Sequence, residues 1–415
     1  MTATPEPGSP TVGGTGLPPA GARRWTRADT VRTAVALALA GALATGAVLL
    51  HGAPAHGADA AFSLLVGAAL GIVCERGRFC FFCIFRDLFE HRDSTGSYAI
   101  LAALAVGATG YAVVFSLFVP DPGAGGLPPG AHIGPAAWTV LLAGAAFGTG
   151  VVLSGGCIGG HLYRLGEGSL RAVPALLGTA AGFGLGFLTW NALYLAALST
   201  APAPWLPSTL GIAGALAVTL AALAVPAVLL LRRLPRQPAR PERAITLAGI
   251  GRGLVERRWP TLLTGALVGL IGVAAYLRVE PLGVTRQIGS STRTVLDGAG
   301  VLPATLHGLD TFAGCATVVA ETVLANGWLI IGLVVGSLAA ALPGRRFRIE
   351  PLTAPGAVSA LLGGLLLGWG AMTAIGCTFG VLLSGIQAFA LSGWIFAAGL
   401  VPALWLGFRL GLHRI

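Results

Sequence analysis

Apolar residues in this chain run in long uninterrupted blocks rather than in alternation, with arginine-, glycine- and proline-rich stretches between them. Blocks of spanning length, ~17–25 residues, fall near 31–51, 60–75, 97–119, 136–156, 171–198, 208–231, 259–277, 327–342, 355–376 and 393–411. The pattern predicts an all-α polytopic membrane protein, a bundle of about nine to ten transmembrane helices set in a lipid bilayer.

Two of these blocks are alike. Residues 141–160 read LLAGAAFGTGVVLSGGCIGG and residues 361–380 read LLGGLLLGWGAMTAIGCTFG, 220 positions apart, with eight of twenty positions identical. Each is an apolar helix with closely spaced glycines that ends on a Gly-Cys pair, Gly156-Cys157 and Gly376-Cys377. Counting crossings between them makes the copies antiparallel, so the repeat is inverted and its broken ends meet at mid-membrane. A weaker match, Gly67-Ala-Ala-Leu-Gly71 against Gly265-Ala-Leu-Val-Gly269, is antiparallel by the same count. The organisation expected is a disordered cytoplasmic tail (1–30), a first transmembrane helix (31–56), a first repeat (57–231), a basic cytoplasmic linker (232–258) and a second, inverted repeat (259–415), with short re-entrant helices or loops at mid-membrane.

Charge orients the bundle. The net charge of +10 rests on 26 arginines and no lysine. Arg76, Arg78, Arg86, Arg92, Arg164 and Arg171, eight arginines in 232–258, and Arg345, Arg346 and Arg348 all fall on one side if the N-terminus is cytoplasmic. Loops 120–135 and 199–207 on the other side have none. Arginine enrichment of cytoplasmic loops therefore places the N-terminus inside, in a cytoplasmic (inner) membrane. Arg278, Arg286 and Arg293 are the exceptions. The arginines at 23, 24, 27 and 32 before an apolar run imitate a signal peptide, but the run is longer than such a segment needs, and a retained helix is preferred.

Composition narrows the chemistry. At 55% hydrophobic and 10% charged residues, with a mean hydropathy of +0.81, the chain is no soluble enzyme. Basic and aromatic positions do not alternate as on a nucleic-acid surface, and no phosphate-binding loop of an ATP-driven pump is present. No cofactor and no metal is expected. Six cysteines, at 74, 80, 83, 157, 315 and 377, lie in or beside apolar blocks, which argues against a secreted disulfide framework.

Three segments carry the candidate chemistry. Cys74-Glu-Arg-Gly-Arg-Phe-Cys80-Phe-Phe-Cys83-Ile-Phe-Arg86-Asp87 is too polar to span and too aromatic for a free loop. A re-entrant segment fits, with a cytoplasmic amphipathic helix and a local Arg86–Asp87 pair as the alternative. Ser154-Gly-Gly-Cys157-Ile-Gly-Gly-His161-Leu-Tyr-Arg164-Leu-Gly-Glu167 allows a broken helix whose free N–H groups can meet an anion; a turn around an inert cysteine is the alternative. His161 has no counterpart in the second copy, where Val381 stands. Gly314-Cys315 precedes its own span at a distance similar to that of Cys83 and is a loose second-half equivalent, with a packed, inert thiol equally compatible. A neutral thiol is a weak, soft donor. A row of thiols would hold a divalent sulfur anion without trapping it, as arginine would.

At these residues the chain resembles the YeeE/YedE family of sulfur-transport membrane proteins. The motifs are RGRFCFFCIFRD (76–87), GVVLSGGCIGGHLYRLGEGS (150–169) and GWGAMTAIGCTFGVLLSGIQAF (368–389), and the likeness runs over about 60–411. The resemblance implies an inverted-repeat permease whose path cysteines fall on Cys80, Cys157 and Cys377, with thiosulfate as the substrate of one branch. The FCFFCIFRD and GGCIGGHLYRLGEG segments also look like a selenium-associated branch. The expectation is a non-enzymatic permease for thiosulfate or a similar small sulfur-containing anion. Secondary candidates are Cys83, Cys315, Arg86, His161, Arg164, Glu167, Gly156 and Gly376. Alternatives are a carrier of selenium species or persulfide sulfur, a membrane thiol–disulfide oxidoreductase using Cys80 and Cys83, and an accessory role beside a soluble cytoplasmic sulfur-transfer protein.

Overall fold

The computed structural model describes residues 26–53, 57–119, 121–234, 257–312 and 316–414. Among them are thirteen α-helices and no strand. In chain order these are α1 Arg27–Gly52, α2 Gly57–Gly77, α3 Phe81–Phe89, α4 Ser97–Phe118, α5 Trp138–Ser154, α6 Ile158–Glu167 and α7 Ala172–Leu193. Then follow α8 Pro207–Leu231, α9 Thr261–Arg278, α10 Arg286–Gly298, α11 Ala325–Ala341, α12 Ala354–Thr373 and α13 Leu391–Arg409. Nine helical runs among the described residues are long and apolar enough to cross a membrane, and α11, at 17 residues, is a shorter apolar helix. The chain is an all-α polytopic membrane protein.

The spans sit where the apolar blocks predict, with local shifts. α1 starts at Arg27 rather than 31 because Thr26 and Asp29 cap the helix reciprocally, each side chain bonding the other's backbone. Most of the tail predicted for 1–30, and residues 235–256 of the basic linker, lie outside the described residues. The block 171–198 ends in a π-helical turn, Tyr194–Leu198. α10 has no apolar block; it is a polar helix, RQIGSSTRTVLDG, that sequence patterning reads as loop.

Glycine decides how closely the helices pack. A methyl group on Gly67 of α2 would lie 2.0 Å from the Leu329 carbonyl oxygen of α11, and one on Gly332 of α11 would lie 2.1 Å from the Leu64 carbonyl of α2. Lipid gives helices no hydrophobic reason to associate, so such backbone-to-backbone contact supplies the attraction through dispersion and carbonyl dipoles.

The principal packings are α2 on α11, α4 on α9, α7 on α12, and α5 on both α12 and α13. Exchanging α2 with α9, α4 with α11, α5 with α12 and α7 with α13 maps this set onto itself. Among the smaller contacts, α3 on α4 and α13 answers to α10 on α11 and α7, while the contact of α3 with α5 has no counterpart of like extent between α10 and α12. Chain direction alternates from one crossing to the next, so exchanged helices run antiparallel. The bundle is an inverted repeat in which every principal packing joins one half to the other. α1 lies outside this scheme, against α2 and α11, and presents Val31, Leu37, Val48 and Leu49 outward.

Candidate functional site

Both Gly-Cys corners are breaks between a long helix and a short one. α5 stops at Ser154, Gly155 turns left-handed at φ 83°, and Cys157 starts α6 as its N-cap. The second corner places Ile375 left-handed at φ 59°, in register with Gly155, before Cys377 opens the π-helical turn Thr378–Gly385. A β-branched residue in that region costs about 1–3 kcal/mol. The corner geometry is therefore held by its surroundings and not by local preference.

The sulfurs sit at helix N-termini. The Gly160 N–H donates to Cys157 Sγ at 3.3 Å. Cys377 is faced by the backbone N–H groups of Phe379, Gly380 and Val284. The corners meet at the centre of the bundle, where Cys157 and Cys377 are neighbours and Thr378 lies against the Cys157 sulfur. Cys80, Cys157 and Cys377 are all buried, at 0%, 1% and 0% exposure. Phe79, Phe81 and Phe379 pack edge-on or tilted around them, with ring centroids 5.7–6.3 Å apart.

The Cys74–Asp87 segment is not a loop. Cys74 belongs to α2, Arg78 turns left-handed at φ 53°, and Cys80 is the N-cap of the buried helix α3. A methyl on Gly160 would lie 3.4 Å from Cys157 Sγ and 3.7 Å from Cys80 Sγ, so these two thiols flank one point. Cys83 lies one turn further along α3. Arg164 Nη2 stands 2.9 Å from Cys83 Sγ and 3.5 Å from Cys80 Sγ. Arg86 pairs with its neighbour Asp87 at 2.9 Å, the local pair that the sequence offers as an alternative.

The remaining candidates separate. His161 is buried against Gly156, with its Nε2 unpartnered among the described residues. The Glu167 carbonyl accepts from the Arg348 N–H at 2.9 Å at the far end of α6. Gly376 faces Val381 and His132. Cys315 lies outside the described residues.

Three residues at the centre go unmarked in the sequence analysis. Thr378 and Thr285 lie against the Cys157 and Cys377 sulfurs, and His132 stacks on Gly376 and Gly385. Only Thr378, next to Cys377, carries a sequence signal. His132 takes at Gly376 the place that His161 takes at Gly156, but it comes from the loop before α5. Inspection of aligned copies cannot find it.

Interlocked antiparallel halves with paired broken helices at their centre make a transport-type membrane protein. The chain belongs to the sulphur transport family, whose model matches residues 76–406. It is similar to the thiosulfate transporter TsuA of Escherichia coli (strain K12), with 31% identity over 357 residues, 82% of this chain and 92% of that protein. The thiosulfate transporter TsuA of Spirochaeta thermophila is 28% identical over 83% of this chain and 98% of its own length. A probable transporter YedE of Salmonella typhimurium is 30% identical over 164 residues, 40% of this chain and 38% of that protein.

Proposed function

We propose that the protein is a permease of the cytoplasmic membrane for thiosulfate or a similar small sulfur-containing anion. Cys80, Cys157 and Cys377 relay the anion by S–H contacts without covalent chemistry, and the N-terminus is cytoplasmic. The observation that carries the reading is the meeting of the two Gly-Cys corners, with Thr378 of one corner on the sulfur of the other. Family membership and the names of the TsuA relatives support the substrate class.

Magnitudes favour thiols in the throat. A thiol donating to the anion makes a hydrogen bond with one charged partner, worth about 1.5–3 kcal/mol at most for so weak a donor, whereas an arginine adds the attraction of a full opposite charge. Replacing a thiol by arginine would deepen each well by roughly 1 kcal/mol or more, and every 1.4 kcal/mol slows release about tenfold. Helix N-termini behind the sulfurs favour an anion without adding a fixed charge. Arg78 and Arg86 attract the anion to the α3 end, where Arg164, 3.5 Å from the Cys80 sulfur, is the one arginine that borders the row of thiols.

Uptake of radiolabelled thiosulfate into reconstituted vesicles tests the reading. Wild type transports, Cys157→Ala and Cys377→Ala abolish flux while remaining folded in detergent, and Cys83→Ser transports. Normal flux in both alanine variants removes the relay. A specific observation keeps the oxidoreductase reading in view: Cys80 and Cys83 share one guanidinium at the start of a helix, the setting of a reactive dithiol. Loss of activity in Cys83→Ser, with flux retained in Cys157→Ala, would favour it. Competition by selenite or selenide distinguishes a selenium carrier. A soluble sulfur-transfer partner would show as uptake that depends on its addition.

A further inference from the structure

The inverted repeat assigns a counterpart to every element of the path, and one of them is not a cysteine. The exchange that maps α5 onto α12 also maps α3 onto α10, since α3 meets α4 and α13 while α10 meets α11 and α7. The residue that opens α3 is Cys80. The residue that opens α10 is Thr285.

The likeness extends to detail. Cys80 is an N-cap at φ −133° and Thr285 an N-cap at φ −120°, and neither side chain bonds its own helix. For threonine this is unusual, because satisfying the first turn is what a hydroxyl N-cap ordinarily does. The Thr285 hydroxyl instead lies against the Cys377 sulfur, as Cys80 lies beside Cys157. Thr285 is 1% exposed, and apart from the Cys377 sulfur its hydroxyl has no hydrogen-bond partner among the described residues. A thiol is a weak partner for a hydroxyl, so this buried donor is left available to a stronger acceptor that comes to the same sulfur.

We infer that Thr285 is the fourth station of the path, placed beside Cys377 in the second half as Cys80 is beside Cys157 in the first, and that it takes an oxygen of the passing anion. This rests on the permease reading and deepens it. A hydroxyl is a harder and stronger donor than a thiol. Hydroxyls of Thr285 and Thr378 set among three thiols suit an anion with oxygens at one end and a bare sulfur at the other. They do not suit selenide or a persulfide, which offer no oxygen to accept from them.

Uptake of radiolabelled thiosulfate by reconstituted full-length protein tests this with two variants that oppose each other. Thr285→Val keeps the shape and removes the hydroxyl; Thr285→Ser keeps the hydroxyl and removes the methyl. A path hydroxyl predicts that Val lowers uptake about tenfold or more while Ser stays within about twofold of wild type. Mere packing predicts the reverse order, and that order, or wild-type uptake in Thr285→Val, overturns the inference. Should Thr285→Val fail to fold, Thr285→Ala removes the same hydroxyl and is read against Ser in the same way. Wild type and Cys157→Ala run alongside. Absence of wild-type uptake defeats the permease reading itself, whereas a wild type that transports beside an active Val variant defeats this inference alone.

Discussion

The Arg164 guanidinium donates to the Gly155 carbonyl at 2.7 Å, so a charged side chain on α6 holds the last turn of α5 across the break that separates them. The same guanidinium reaches Cys83 at 2.9 Å. Three elements, α3, α5 and α6, therefore depend on one fork of donors. Arg164→Gln should lower the melting temperature in detergent and cut thiosulfate uptake about tenfold or more, since bonds from a charged donor are worth roughly 1.5–3 kcal/mol each. Arg164→Lys should rescue little, because one compact ammonium nitrogen cannot span the two acceptors that separate guanidinium nitrogens reach. Full recovery with lysine would show that only the charge counts.

Glycine contacts differ by position, and the difference is measurable. A methyl on Gly368 of α12 would lie 2.0 Å from the Thr179 carbonyl oxygen, whereas one on Gly41 of α1 meets nothing within 4 Å. Gly368→Ala should destabilise by about 1–3 kcal/mol or more. Gly41→Ala should be neutral or stabilising by roughly 0.5–1 kcal/mol. Thermal unfolding of the two variants in one detergent decides; a similar cost in both would mean that the close packing does not bear on stability.

Burial pushes the His132 imidazole down to about 4 from its ordinary 6.5. Between those values the unfolded chain takes up a proton that the native state refuses. Stability from this group is whole above about pH 7 and is lost as pH falls from 6.5 toward 4, by roughly 3 kcal/mol at the acid end. Melting temperatures of wild type and His132→Gln across pH 4–7 should diverge, with the wild type falling more steeply. Parallel curves would assign acid sensitivity to other groups.

Arg86 is 29% exposed, paired to Asp87, and 5.9 Å from the Phe82 ring centroid. A pair so exposed contributes about 0–1 kcal/mol to stability. Arg86→Ala should therefore leave the melting temperature nearly unchanged while weakening uptake of a dianion more than of a monoanion. Equal effects on both would make it a structural ion pair.

The spans were legible because hydropathy is a local property, and the two corners because Gly144, Gly148, Gly150, Gly156, Cys157 and Gly160 recur 220 residues later. α10 was not legible. A short, partly exposed helix need not be apolar, and only Gly289 and Ser290 of its residues are buried, so hydropathy gives it no signal. Thr285 escaped for a related reason: the exchange preserves position and not residue type, so no repeat of Cys80 exists to be found. His132 escaped because the imidazole at the second corner comes from the other half of the chain. Duplication reveals what each copy carries, but not what the copies lend each other.

Every principal packing in the bundle joins a helix of one half to a helix of the other, and carbonyl oxygens are seated directly on glycines in α2, α9, α11 and α12. A dovetailed joint of this kind does not swing. Tilting one half against the other would pull many seated oxygens from their notches at once, which leaves no cheap hinge for the large alternating motions of rocking carriers. Movement is left to single side chains and to helices without a glycine seated on a carbonyl, α3 and α10 among them. On the permease reading proposed above, such a frame acts as a fixed sieve whose small movable teeth set its throughput.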